Sequence, residues 1–322
     1  MLHLRVISPA ETTDQAMAVL AEDPGITHVT LARGIAVAPS GDLIQADIAR
    51  EGANDVLEHL TALGICRDGA ITLTPVETVL SEASKTAAKE SPGDPSDAVV
   101  WEELLTQTHE ESTLNVTFLA FLTIACLLAA VGVATDSPVT IVGAMVVGPE
   151  FGPLAAFAVG LVRRDSRLAR RSAIALLVGF PVAMVVTLLA TLVWEKLGWI
   201  TLAGVESVRN VDFIYKVGPF SLVVALLAGA AGMLSLVSEK SAALVGVFIS
   251  VTTVPAAGFA VIAATLGQWH IAFLSAGQLA VNLAGIVIAA TLVLVFRPGA
   301  GSERGPIGRF ARWLRSRLSR NR

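Results

Sequence analysis

Apolar positions follow three different periods along this chain. From residue 2 to about 80 they alternate in short runs or recur every three to four residues, and from about 114 onward they fill whole segments of about twenty. The first pattern predicts a small mixed domain, and the second predicts membrane spans.

In the first part, LHLRVI (2–7) predicts a strand. ETTDQAMAVLAED (11–23) predicts a short helix capped by Thr12 or Thr13, with Ala16, Met17, Val19 and Leu20 on one face, ended by PG. ITHVTLA (26–32) and LIQADIA (43–49) alternate like strands and join through PSGD. EGANDVLEHLTALGI (51–65) sets Val56, Leu57, Leu60 and Leu63 at helical spacing, and AITLTPV (70–76) is a last strand. The order βαββαβ is that of a ferredoxin-like α+β domain over residues 1–80. That fold hosts many functions and names none. There is no glycine-rich phosphate loop and no carboxylate pair, and His3, His28 and His59 are scattered, as structural or surface histidines are. Such a domain suits ligand sensing or subunit association. It also suits a scaffold that only helps assembly.

Residues 81–112 form a linker and an amphipathic helix. SEASKTAAKESPGDPSD (81–97) is small, polar and proline-bearing. DAVVWEELLTQTHEES follows, with Asp97 as N-cap and Val100, Trp101, Leu104 and Leu105 in one stripe. This helix is expected to lie at a membrane interface or to pack on a neighbour.

Six segments are long and apolar enough to span: 114–134, 138–162, 172–193, 220–237, 242–266 and 271–296. They make 113–297 a polytopic α-helical membrane domain. The tail, 298–322, contains PIGRFARWLRSRL (306–318), with Ile307, Phe310, Ala311, Leu314 and Leu318 on one face and arginines elsewhere. Such a helix suits anionic lipid headgroups, or the acidic N-terminal domain, rather than nucleic acid.

Charge sharpens this division. Residues 1–112 hold 6 Lys+Arg against 19 Asp+Glu, and residues 113–322 hold 17 against 8. RRDSRLARR (163–171) between spans 2 and 3 carries five arginines, and the tail after Phe296 carries eight. The positive-inside rule puts both termini, this loop and the Lys240 turn in the cytoplasm, with Trp194, Trp199 and Trp269 at the outer interface. The start MLHLRVISPAETTD lacks a basic leader and an apolar run, so the inner membrane is the expected location. Cys66 and Cys126, one in each part, form no disulfide framework or metal pattern, and no cofactor is expected.

Two spans echo one another. Span 2 has VG at 142–143 and PLAAFAV at 153–159, and span 5 has VG at 245–246 and PAAGFAV at 255–261. Each is the middle span of three, so the halves would lie in opposite orientations. Inverted repeats with paired broken helices hold the binding sites of many secondary transporters. Alignment on the prolines sets Glu150 opposite Thr252 and Phe151 opposite Thr253.

The centre of span 2 reads GPEFGP. Proline removes a backbone donor, glycine allows unusual dihedrals, and a freed backbone group in lipid must find a partner. Gly148, Pro149, Gly152 and Pro153 therefore predict a break facing protein or a cavity. Glu150 there is a cation or proton site, or hydrogen-bond glue between helices. Thr252, Thr253 and Pro255 in span 5 and Asn282 in span 6 complete the candidate substrate or ion site. The threonines could instead bond to their own helix, and Asn282 could instead tie two helices together. Asp136, Asp165 and Asn115 mark span ends. Gly229 and Gly232 suit close helix packing.

VGAMVVGPEFGPLAAFAVGLVRRD (142–165) resembles a bacterial and archaeal membrane family, the domain of unknown function 389, or uncharacterised hydrophobic domain. Its G-A-M-x-x-x-P-x-x-G-P signature falls on Gly143, Ala144, Met145, Pro149, Gly152 and Pro153, with a following acidic residue at Asp165. The resemblance implies a soluble domain followed by several spans, over roughly 1–296. It also implies an apolar residue in many relatives where Glu150 stands. It supplies no substrate. The leading expectation is an oligomeric transporter or channel-like protein for a small molecule or ion, with a cytoplasmic regulatory domain. The competing one is a membrane sensor or scaffold that moves nothing. The spans contain no HExxH, Ser-Lys or paired-Asp arrangement, so an enzyme is not expected.

Overall fold

A computed structural model describes residues 1–76, 78–91, 99–200, 219–237 and 253–296. The chain forms two compact units, 1–104 and 105–322. The predicted C-terminal amphipathic helix, Thr252, Lys240 and the Asp97 cap lie outside the described residues.

The first unit holds β1 (Leu2–Ser8), α1 (Thr13–Glu22), β2 (Ile26–Val37), β3 (Ser40–Ile48), α2 (Ala53–Ala62), the short α3 (Ile65–Asp68), β4 (Ala70–Pro75) and α4 (Glu82–Glu90). The strands make one antiparallel sheet in the order β2-β3-β1-β4. Alternation places Leu2, Leu4 and Val6 of β1 and Ile44 and Ile48 of β3 on one face. Ala16 and Leu20 of α1 and Val56, Leu57 and Leu60 of α2 cover that face, closing the core.

The hairpin is longer than the sequence predicts. Val37 pairs with Ser40, so β2 continues past residue 32. Two register irregularities interrupt its alternation, at Thr27/Thr30 and Ala32/Ala36. Gly34, at φ +68°, lies in the second, and its N–H donates to Asp42 Oδ1 at 2.7 Å. The linker is also more ordered than its composition predicts. Ser81 caps α4, whose sequence EASKTAAKE is rich in helix formers. Val100 packs into the sheet domain's core, and the Trp101 N–H donates to Asn54 Oδ1 at 3.1 Å. The apolar stripe expected at a membrane interface is therefore partly consumed inside this unit.

The second unit takes in α5 (Trp101–Glu111) beyond Leu104, then α6 (Val116–Ala134), α7 (Pro138–Val147), α8 (Phe151–Arg163), α9 (Ser166–Lys196), α10 (Pro219–Val237), α11 (Val254–Thr265) and α12 (Trp269–Phe296). Among the described residues, four helices, α6, α9, α10 and α12, are long and apolar enough to cross a membrane. The pair α7 and α8 makes a fifth span if counted together, bent by 51°. These are the helices of a membrane protein. Predicted span 5 is described only as α11, whose 12 residues are too few to cross alone. The polar residues at the span ends are caps. Asn115 accepts from the Phe118 N–H at 2.7 Å, and Asp165 accepts from the Arg167 and Leu168 N–H groups.

Small residues let these helices approach closely. A Cβ on Gly229 of α10 would lie 2.4 Å from the backbone oxygen of Ile286 in α12, and one on Gly132 would lie 2.6 Å from Ile141 Cγ1. Gly229→Ala must push α10 from α12 and should cost about 1–3 kcal/mol. Gly143→Ala, with open space around it, should change little. Melting of the purified full chain in detergent checks the contrast.

Candidate functional site

The helical path of the second span stops at Val147. Gly148 is extended (φ −65°, ψ 125°), and α8 restarts with Glu150 as its N-cap. The Glu150 side chain does not bond back to its own helix. It is 1% exposed, and Thr253 Oγ1 donates to its Oε1 at 2.5 Å. Thr253 is in turn the N-cap of α11 and leaves its own helix end uncapped by its side chain, with proline in the first turn. Two helices thus begin at one buried contact between their cap residues. The partial positive charge of a helix N-terminus favours a carboxylate beside it.

The depth of this contact follows from the packing of α6. Gly132 sits against Ile141, and Val147 lies about 9 Å further along α7. Gly258 sits against Ala129 and Ala130, and Thr253 lies about 7.5 Å back along α11. Both displacements lead to the middle of α6, near Ala125 and Cys126. The expected position of the break, central in the spanning layer, agrees with this.

Beneath the break is a cavity of about 400 Å³. Gly148, Pro149, Phe151 and Gly152 of the break, Phe118 and Phe121 of α6, and Glu110 and Glu111 of α5 are among its lining residues. A Cβ on Gly152 would lie 2.5 Å from the Glu111 Cβ, so only glycine admits α5 here. Desolvation over this contact, and then the Glu110 charge, raises the Glu111 carboxyl above the ordinary carboxylate value. Arg171 of α9 braces the end of α5, donating to Thr113 Oγ1 at 2.5 Å and meeting His109 Nε2 at 2.9 Å.

The predicted site residues therefore separate. Glu150 and Thr253 meet directly. Gly148, Pro149 and Gly152 line the cavity. Pro153 and Pro255 are buried in the first turns of α8 and α11 and serve to start them. Asn282 is fully buried and accepts from Gln278 Nε2 at 3.0 Å within α12. The proline alignment sets Phe151 opposite Thr253, whereas in the structure Thr253 bonds Glu150; Thr252 lies outside the described residues.

Two groups escaped the sequence. Gln278 and Ser275 on α12 are buried, and the i, i+3, i+7 spacing with Asn282 was their only signal. In the sheet domain, His3 and His28 are not scattered. Their Nδ1 atoms lie 2.8 and 2.7 Å from the two oxygens of Asp47, and His28 Nε2 lies 2.8 Å from Ser81 Oγ. Burial pushes the Asp47 carboxyl up, but the hydrogen bonds from His28 and His3 outweigh it and hold it below its ordinary value. Strand register brings these residues together, since His3 pairs with Asp47 across β1 and β3.

Residues 145–288 match the family model described as Domain of unknown function (DUF389). The match agrees with the family that the 143–153 signature resembles, over a narrower range than the resemblance implied. No curated protein and no solved structure matches the chain.

Thr253→Val removes the donor to a buried carboxylate and should destabilise the protein by about 1–3 kcal/mol, whereas Thr253→Ser should retain most of its stability. Thermal melting of both variants separates the hydrogen bond from side-chain volume. Glu111 carries a pH signature of the opposite sign to a paired carboxylate. Its folded-state value is raised, so ionisation penalises the fold. The penalty is absent below the unfolded value and grows as pH rises through the folded one. Glu111→Gln should therefore exceed wild type in melting temperature at pH 7, and the gain should vanish at about pH 4.

Proposed function

We infer that the protein moves a small molecule or ion across the membrane and that the Glu150–Thr253 junction is its substrate site. One observation carries this reading: two helices end on a shared buried carboxylate, and a cavity runs up to the same break. A helix interrupted only for packing does not need a cavity at the interruption. The broken pair α7 and α8 and the helix α11 fall within predicted spans 2 and 5, the middle spans of the two expected three-span halves. This supports an inverted repeat.

The charge distribution supports an inner-membrane protein with both termini in the cytoplasm, and hence a cavity that opens inward. The strand order β2-β3-β1-β4 with α1 and α2 on one face supports a ferredoxin-like sheet domain acting as a cytoplasmic regulator. The glycine-rich spans suit association into a homo-oligomer. The chemistry is passage rather than catalysis.

A sensor or scaffold is the second reading. It is favoured by the 1% exposure of Glu150, which sits behind the cavity wall instead of lining it. The two readings differ in water access. With Cys66 and Cys126 replaced, single cysteines at 118, 121, 150 and 253 are labelled in intact vesicles by a membrane-impermeant thiol reagent. Transport predicts that 118 and 121 react from the cytoplasmic side and that 150 and 253 become reactive as well. Reaction at 118 and 121 alone, with no flux in vesicles, establishes the scaffold instead.

A further inference from the structure

α12 carries buried polar groups that the paired helix ends do not use. Ser275, Gln278 and Asn282 are 0%, 2% and 0% exposed. They fall on one stripe of an otherwise apolar helix. Gln278 Nε2 is spent on Asn282 Oδ1. Among the described residues, Gln278 Oε1 and Ser275 Oγ have no hydrogen-bond partner.

The Ser275 hydroxyl, like that of Thr291 on the same helix, departs from the behaviour of most span hydroxyls. A helical Ser or Thr can always donate to the carbonyl one turn back. Thr123, Ser172, Thr187 and Thr265 all do so, to Leu119, Leu168, Ala183 and Val261. Ser275 leaves that bond unmade. An oxygen buried without a partner is a cost that alanine or leucine would avoid at these positions.

The position of the stripe links it to the break. α11 and α12 pack side by side and join through the turn at Leu266–Gln268. Counted from that turn, Thr253 and Asn282 lie about equally far along antiparallel helices. Asn282 is therefore level with the Glu150–Thr253 contact. Gln278 and Ser275 step away from it towards the turn, with Ser275 about 10 Å along the axis.

We propose that Ser275, Gln278 and Asn282 extend the Glu150–Thr253 junction into an oxygen-lined track for a small monovalent cation, a proposal that rests on the junction being the substrate site. Carboxamide and hydroxyl oxygens are hard ligands that replace the water such an ion loses. Glu150 supplies one negative charge, and α11 and α12 contain no Asp or Glu. A single carboxylate among neutral oxygens balances one positive charge. A divalent ion would be left under-neutralised, and an anion would be repelled. Neutral oxygens also hold a monovalent ion weakly enough to release it.

The test is cation-specific stabilisation of the purified full chain. Melting is followed in sodium, potassium and choline chloride at equal ionic strength. Sodium or potassium should raise the wild-type melting temperature over choline by about 3–6 °C at ten times Kd. The double variant Ser275→Ala, Gln278→Leu loses two unmet oxygens but also the Gln278 Nε2 bond to Asn282 Oδ1, so it should melt within a few degrees of wild type in choline, and it should lose the cation shift. Ser275→Ala alone, the milder change, should weaken apparent affinity at least threefold. Absence of any cation-specific shift in wild type overturns the proposal. So does a shift undiminished in both variants. If Glu150→Gln abolishes the shift while the α12 variants keep it, the junction binds the ion and the track is wrong. If the shift depends on all these residues yet vesicles show no sodium or potassium flux, the track stands and the transport reading falls.

Discussion

A carboxylate placed among apolar helices has to be satisfied by the protein itself, and much of the second unit is arranged to do so. Glu150 cannot be left bare in hydrocarbon. The chain around it leaves helical geometry at Gly148, which frees backbone groups that also need partners. The bond from Thr253 addresses the carboxylate, and the start of α8 at Glu150 sets a helix N-terminus beside it. Bringing Thr253 there requires α11 to begin at the same depth. That in turn requires Gly258 to sit directly on Ala129 and Ala130. One polar contact thus rests on a close helix crossing some residues away.

The same economy governs the other polar groups. Charged and amide residues at the helix ends act as caps, as Asn115 and Asp165 do for α6 and α9. Hydroxyls within the spans mostly turn back onto their own carbonyls. Glu150, Thr253 and the Ser275–Gln278–Asn282 stripe are further buried polar groups of the second unit. They are carried by α8, α11 and α12, with Leu154 of α8 and Ile286 of α12 packed in a shared apolar cluster. The cavity below the break has glycine on its wall because anything larger at Gly152 would collide with Glu111. Backbone close approach is what leaves room for it.

The sheet domain shows how little of a local cluster is visible in one dimension. His3, His28 and Asp47 are far apart in sequence and carry no motif. The antiparallel register of β1 and β3 sets His3 opposite Asp47, and an irregularity in β2 turns His28 towards the same carboxylate. The longer hairpin has a similar origin. Its alternation is interrupted, and only pairing across the strands sustains it past residue 32.

The order of the four strands and their two main helices, most of the apolar spans, the break at GPEFGP and the need of Glu150 for a partner were legible in the sequence. Each rests on local chemistry: period, length, and the incompatibility of proline, glycine and a carboxylate with a plain spanning helix. Tertiary structure decided the partners. It set Thr253, the cap of α11, against Glu150, because α11 begins one residue later than the proline alignment suggests. It joined Val100 to the sheet domain's core, and it buried Gln278 and Ser275 beside Asn282. Those outcomes depend on helix depth, crossing distance and strand register, which are set by packing between segments remote in sequence and leave no periodic mark in any one of them.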